Sequence, residues 1–194
     1  KIKPYLPVVL SVKEIEDILS VIDLSQPEGH RNRAIIEMLY SCGLRVSELV
    51  SLRISDLFFK DGFIRVTGKG SKQRLVPVGI PAIESVNYYL SKRKFTEVKK
   101  RDEDILFLNR RGSRLSREMV FLIIKKESKR AGITKEISPH TFRHSFATHM
   151  VENGADLRVV QEMLGHESIL TTEIYTHVNS EKWRESILKC HPRG

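Results

Sequence analysis

Across residues 57–78 the hydrophobic pattern of this chain leaves helical spacing. Phe58-Phe59 gives way to a Lys60-Asp61-Gly62 turn, then Phe63-Ile64-Arg65-Val66, a Gly68-Lys69-Gly70-Ser71-Lys72 tip and Leu75-Val76-Pro77-Val78. Aromatic and β-branched runs bounded by glycine-containing turns read as short antiparallel strands. The stretch is therefore expected to form a small three-stranded sheet with a basic tip. The segments on either side keep a helical period, which makes the fold class α+β, mainly α.

Ser11 followed by Glu14 is a capping box, and Val12, Ile15, Leu19 and Ile22 then repeat at helical spacing up to a Gln26-Pro27-Glu28-Gly29 break. A second helix over about 32–41, rich in Ala34, Ile35, Ile36, Met38 and Leu39, stops at Gly43, and a short third follows over 46–52. Pro81 opens another helix, with Ile83, Val86 and Leu90 on one face, whose basic end runs into a charged linker over 92–104. Leu106-Phe107-Leu108 is a candidate for one more strand. Helices are expected over 116–131, 139–153 and 157–164, each ahead of a glycine, and an amphipathic segment over 181–189 carries Trp183, Ile187 and Leu188. Internal repeats and low-complexity segments are missing.

At 194 residues the chain is long enough for one well-buried core. Lys and Arg outnumber Asp and Glu by 33 to 24, a net charge of +9, which suits a nucleic-acid partner and equally a plain basic surface. Placement of the charges has to decide between them. Cys42 and Cys190 have no metal-ligand spacing, so a reduced, cytoplasmic protein is expected. No apolar run approaches the roughly 20 residues that span a bilayer, so no membrane partner is expected. The chain begins at Lys1 rather than Met, as a fragment of a longer protein would.

The stretch SPHTFRHSFATHM, beginning at Ser138, concentrates chemistry at a helix start. Ser138 can cap, Pro139 suits the first turn, and His140 and Arg143 then share a face. A helix N-terminus favours an anion, so an imidazole and a guanidinium there make a phosphate cradle. A metal reading needs His140 and His144 to find a third ligand. The two-histidine zinc motif also wants Glu where Thr141 stands, so no metal and no other cofactor is expected. His144 and His149, taken singly, read as locally hydrogen-bonded side chains. Further on, LGHESILTTEIYTHV places His166 after a helix end and Tyr175 nine residues later, where a tyrosine alone reads as a core aromatic. Near the start, GLRVSEL sets Arg45 and Glu48 on one helix face.

Taken together, GLRVSEL, GKGSKQRLVPV, SPHTFRHSFATHMVENGADLRVVQEMLGHESILTTEIYTHV and the terminal HPR resemble the tyrosine recombinases, most closely the Xer branch of site-specific recombinases. The ending and the GADLRVVQ run look more like the XerD than the XerC branch. The resemblance covers nearly the whole chain and implies the helical catalytic domain of DNA breaking-rejoining enzymes. Its catalytic set carries over as Arg45, Lys69, His140, Arg143, His166 and Tyr175, none substituted, with Glu48 as the group that orients Arg45. It implies a 3′-phosphotyrosine intermediate without metal or ATP, a double-stranded DNA site as substrate, and a tetramer on two such sites with a related recombinase.

The resemblance also implies a helical domain ahead of this chain, making 1–10 a linker and 11–194 the catalytic domain. In such a tetramer the C-terminal helix would dock on a neighbouring subunit, through Trp183, Ile187 and Leu188. Candidate DNA contacts are Lys72 and Arg74 by the hairpin, Arg110, Arg111 and Arg114 in the following loop, and Lys125, Lys126, Lys129 and Arg130 on one helix. The leading role is chromosome dimer resolution. A phage or mobile-element integrase, a type IB topoisomerase and a non-catalytic DNA-binding module are the competing readings.

Overall fold

The computed structural model describes residues 7–165 and 177–194, the side chains of 177–180 excepted. Helix α1 (Val12–Val21) starts at the expected capping box: the Glu14 N–H donates to Ser11 Oγ at 3.1 Å and the Ser11 N–H to Glu14 Oε1 at 3.0 Å. It packs Ile15, Ile18 and Leu19 inward. Helix α2 (Gly29–Cys42) is buried nearly all round, its apolar run Ala34, Ile35, Ile36, Met38 and Leu39 together with the polar Arg31, Asn32 and Glu37. It packs against helices α4 (Ile80–Arg93) and α6 (Pro139–Glu152), with α1 and α5 (Arg117–Arg130) also against it.

Helix α2 ends where Gly43 turns left-handed, φ 62°. A Cβ there would stand 2.7 Å from both Leu164 Cδ2 and Phe146 Cδ1, so glycine is required by conformation and by space. The short helix α3 (Val46–Ser51) follows at once. Strands β1 (Leu57–Phe58), β2 (Phe63–Thr67) and β3 (Gln73–Pro77) form the expected antiparallel sheet in the order β1-β2-β3. Pairing runs from Phe63 with Pro77 to Thr67 with Gln73, and the neck closes as the Gly68 N–H donates to the Lys72 carbonyl at 2.8 Å. A 3₁₀ turn over Lys69–Ser71 forms the tip.

Leu106, Phe107 and Leu108 are buried but do not make a strand. Their backbone partners change at each step: Leu106 N–H donates to Leu52, the Phe107 carbonyl accepts from Leu115, and Leu108 N–H donates to Tyr89 Oη. A ladder needs one neighbouring strand, and here there are three separate partners. Helix α7 (Leu157–Met163) is capped by Asp156.

Helix α8 (His177–Cys190) begins earlier than the amphipathic pattern alone suggests. Trp183 and Ile187 are 1% and 3% exposed, inside this chain's own core, while Leu188 is 66% exposed. The expectation that all three form a surface for a neighbouring subunit is thereby corrected: burial of the two largest apolar groups is already satisfied within the chain. The terminal residues hold the same side of α2. His191 Nε2 lies 3.1 Å from the Tyr40 carbonyl, and Arg193 pairs bidentately with the buried Glu37 at 3.0 and 2.5 Å.

Candidate active site

Arg45 is the residue that enters α3, and its N–H donates to Glu48 Oε1 at 3.0 Å. That bond ties the backbone of Arg45 to a carboxylate that is itself buried. The guanidinium of Arg45 approaches the same carboxylate only to 4.0 Å and is 37% exposed, so it faces outward with most of its donors. Glu48 takes its strong partner from β3: Arg74 Nη1 donates to Oε2 at 2.7 Å and Nη2 to Oε1 at 3.1 Å. Burial pushes the Glu48 pKa up, but the Arg74 hydrogen bonds and charge, with the Arg45 amide and the Arg143 charge, outweigh it and hold the carboxyl below its ordinary value.

Arg143 comes from α6, one turn after its start. Its Nη1 donates to the Gly43 carbonyl at 2.7 Å and its Nη2 to the Leu164 carbonyl at 2.8 Å. These bonds use the C-terminal carbonyls of α2 and α7, where a cation is favoured. Five N–H donors sit on a guanidinium, so donors remain for a further acceptor. Burial, with the Arg45 and Arg74 charges, pulls the Arg143 pKa down to about 10 despite Glu48. Three guanidiniums thus gather about one carboxylate, leaving an excess of fixed positive charge.

His140 is exposed on the first turn of α6, in which the Ser138 N–H donates to Thr141 Oγ1 at 3.0 Å. His144 is exposed as well, its pKa lowered by partial burial and by the neighbouring His140 and Arg143. His149 is buried, with Nδ1 2.7 Å from Tyr40 Oη, so it is hydrogen-bonded as expected but to a partner on α2 rather than a local one. Lys69 is exposed at the hairpin tip, and Lys72 stands at its end. His166 and Tyr175 lie outside the described residues. Among the described residues no group of three His, Cys, Asp or Glu side chains is placed to hold a metal ion.

Arg74 is the correction at this site. Expected as a surface contact to phosphate, it is 5% exposed, and besides Glu48 its Nε donates to the Met163 carbonyl at 2.9 Å. The strand period carried the signal: Arg74 shares a face with Val76, which is buried. Glu48 correspondingly orients the Arg45 backbone while spending its charge on Arg74. The other basic candidates are exposed, yet several are engaged. Arg110 pairs with Glu28, Arg114 Nη2 donates to Ser51 Oγ at 3.3 Å, and Arg130 Nη1 lies 3.3 Å from Glu127 Oε2. Arg110, Arg111 and Lys126 line a cavity of about 550 Å³ with Arg31 and Glu28, between the start of α2 and α5. Lys125 and Lys129 are exposed on α5.

Comparison with known proteins gives this arrangement its context. The phage integrase family model matches residues 8–182. Tyrosine recombinase XerD of Staphylococcus haemolyticus (strain JCSC1435) is 45% identical over 194 residues, covering all of this chain and 66% of that protein. The chain thus spans just under two thirds of that relative. Among solved structures, the XerA recombinase superposes with a TM-score of 0.75 at 34% identity, over 99% of this chain and 68% of that one. The XerH site-specific recombinase, in a post-cleavage complex with a palindromic difH substrate, gives a TM-score of 0.74 at 32% identity, over 94% of this chain and 53% of that one. On a matching family model, a relative identical at 45% of the aligned positions and a shared catalytic-domain fold, the chain belongs to the phage integrase family of tyrosine recombinases, in its Xer branch.

Proposed function

We propose that this chain is the catalytic part of an Xer-type site-specific recombinase that cuts and rejoins double-stranded DNA through Tyr175. The observation that carries this reading is the cluster of Arg45, Arg74 and Arg143 around the single carboxylate of Glu48. Such a cluster is an unbalanced cationic site, and a phosphodiester passing through a phosphorane-like transition state supplies the missing negative charge. Arg45 and Arg143 are assigned to the non-bridging oxygens, each able to donate as a planar fork. His166 adds a further hydrogen bond. The phenol of a free tyrosine titrates near about 10, so attack needs help, and His140 is assigned to take or stabilise its proton.

In this scheme the Tyr175 oxygen forms a bond to phosphorus as the bond to the 5′ oxygen breaks, and Lys69 donates a proton to that oxygen. The 3′-phosphotyrosine conserves the ester, so the 5′ hydroxyl of a partner strand reverses the step without ATP. With this much fixed positive charge the chemistry asks for no metal. Residues 11–194 are assigned to the catalytic domain and 1–10 to a linker from a preceding DNA-gripping domain. A tetramer on two DNA sites, a related partner recombinase, a cytoplasmic location and a role in resolving chromosome dimers complete the proposal. The relatives named XerD favour this role over that of a mobile-element integrase.

The test is a nicked suicide duplex carrying an Xer-type site, incubated with the full-length protein and a chelator and resolved on a denaturing gel. The expected result is a covalent protein–DNA adduct that is absent in Tyr175→Phe while duplex binding persists. Binding without any adduct in the unaltered protein would leave a DNA-binding module. Relaxation of a single supercoiled duplex at the rate of adduct formation would favour the topoisomerase reading.

A further inference from the structure

Arg74 touches three parts of the site at once. Its Nη1 and Nη2 hold both oxygens of Glu48, at 2.7 and 3.1 Å, and Glu48 in turn accepts the Arg45 amide at 3.0 Å. Its Nε holds the Met163 carbonyl at 2.9 Å, at the end of α7 and three positions before 166. The guanidinium also lies against Gly165, where a Cβ would come within 3.1 Å of Cζ and where φ is 74°. Beneath the hairpin neck, a Cβ on Gly68 would meet Glu48 Oε2 at 3.4 Å and Arg74 Nη1 at 3.5 Å. Arg74 is thus fixed to the elements that carry Arg45 and Lys69 and to the backbone leading toward position 166.

We propose that Arg74 is a positioning residue for the phosphate site, setting Arg45, the Lys69 hairpin and the C-terminal end of α7 relative to one another without touching DNA. The inference rests on the recombinase reading above. A planar fork reaching a carboxylate on one edge and a carbonyl from Nε is a geometry that an ammonium cannot reproduce. Lysine at this position keeps the charge but offers its donors from a single nitrogen, so it cannot span both Glu48 oxygens and the Met163 carbonyl as three separate nitrogens do. Since displacement of a reacting group by about 1 Å costs about a hundredfold in rate, loss of the fork acts on the chemical step. Its charge also contributes to the depression of the Arg143 pKa, consistent with one shared site.

Three measurements on the full-length protein test this. Single-turnover adduct formation on the suicide duplex is expected to slow about ten- to a hundredfold in Arg74→Lys. In the Tyr175→Phe background, the salt dependence of duplex binding is expected to stay unchanged by Arg74→Lys, because no phosphate contact is lost. A slope smaller by about one would identify a direct phosphate contact and overturn the proposal. The third is a double-mutant cycle: since Arg74 acts in part through Arg45, the rate losses of Arg45→Lys and Arg74→Lys are expected to fall short of multiplying when combined, whereas losses that multiply in full overturn it.

Ile18→Ala, a core truncation on α1, separates positioning from simple loss of stability. It is expected to lower the unfolding midpoint and keep the rate, and an equal slowing would overturn the proposal. Should Arg74→Lys not fold, the pair Arg74→Gln with Glu48→Gln removes both charges of the salt bridge together, and is expected to show at least the same rate loss. An unaltered protein that yields no adduct overturns the recombinase reading and this inference together. An adduct formed equally fast with and without Arg74→Lys overturns the inference alone.

Discussion

At the scale of single residues, the titratable groups that are buried carry consequences that exposed ones do not. His191 is 7% exposed, and its pKa falls to about 4, through burial first and then the charges of His149 and Arg193, against the hydrogen bond to the Tyr40 carbonyl. An unfolded histidine titrates near about 6.5, so the folded state binds fewer protons than the unfolded one between these values. Stability from this group is therefore full above the unfolded pKa and is lost as pH falls toward the folded one. Urea unfolding at pH 5 is expected to give about 2 kcal/mol less than at pH 7, and His191→Gln to remove most of that difference. A pH-independent difference between the two proteins would show that His191 binds protons alike in the folded and unfolded states. The same scale shows what the sequence could and could not reveal. His140 and Arg143 read as a phosphate cradle from their place at a helix start, whereas Arg45 and Glu48 enter through the family resemblance, and the structure brings Arg45, Glu48 and Arg143 together. Arg74 was misplaced at the surface because an arginine next to Lys72 and a glycine-rich tip reads as part of a charged loop, unless the strand alternation with Val76 is counted first.

At the scale of elements, local signals read correctly wherever the local physics decides the outcome. The Ser11–Glu14 box, the Gly43 stop and the glycine-bounded hairpin all appear as expected, since each is fixed by hydrogen bonds or backbone freedom within a few residues. Leu106-Phe107-Leu108 is different, because burial made it look like a strand while its hydrogen bonds depend on three distant partners. Helix α8 is different again. Its apolar face is legible in sequence, but which core it fills is a tertiary matter, and Trp183 fills its own. The tail behind it is held by Arg193 on Glu37, a carboxylate 1% exposed. Removing one partner of a buried pair strands the other, so Arg193→Ala is expected to destabilise the fold by about 3 kcal/mol, seen as a lower urea midpoint with an unchanged slope. The paired change Glu37→Gln with Arg193→Gln is expected to recover much of that loss. A single variant as stable as the unaltered protein would mean that the bond between the tail and α2 contributes nothing to the stability of the fold.

For the whole molecule, the net charge of +9 does not by itself distinguish a DNA-binding surface from a solvated one; the distribution of partners does. Basic side chains engaged by buried carboxylates have their charge offset at home, as Arg74 does with Glu48 and, more weakly, Arg130 with Glu127. Lys125, Lys126 and Lys129 are exposed along α5, and positions 125 and 129 stand one turn apart. If these lysines neutralise phosphates, each releases a counterion on binding, and the logarithm of affinity falls with the logarithm of salt by about 0.9 for each contact. Replacing all three by alanine in the Tyr175→Phe background is therefore expected to reduce that slope by between two and three, with affinity weakened alike for specific and unrelated duplexes. The uniform loss follows because phosphate contacts hold position without reading bases. Arg130→Ala, in contrast, is expected to change the slope little, because its guanidinium is already turned to Glu127 on its own helix. Should the triple replacement leave the slope unchanged, α5 presents a solvated face and the phosphate contacts lie elsewhere, with the hairpin at Lys69 and Lys72 the next candidate to replace.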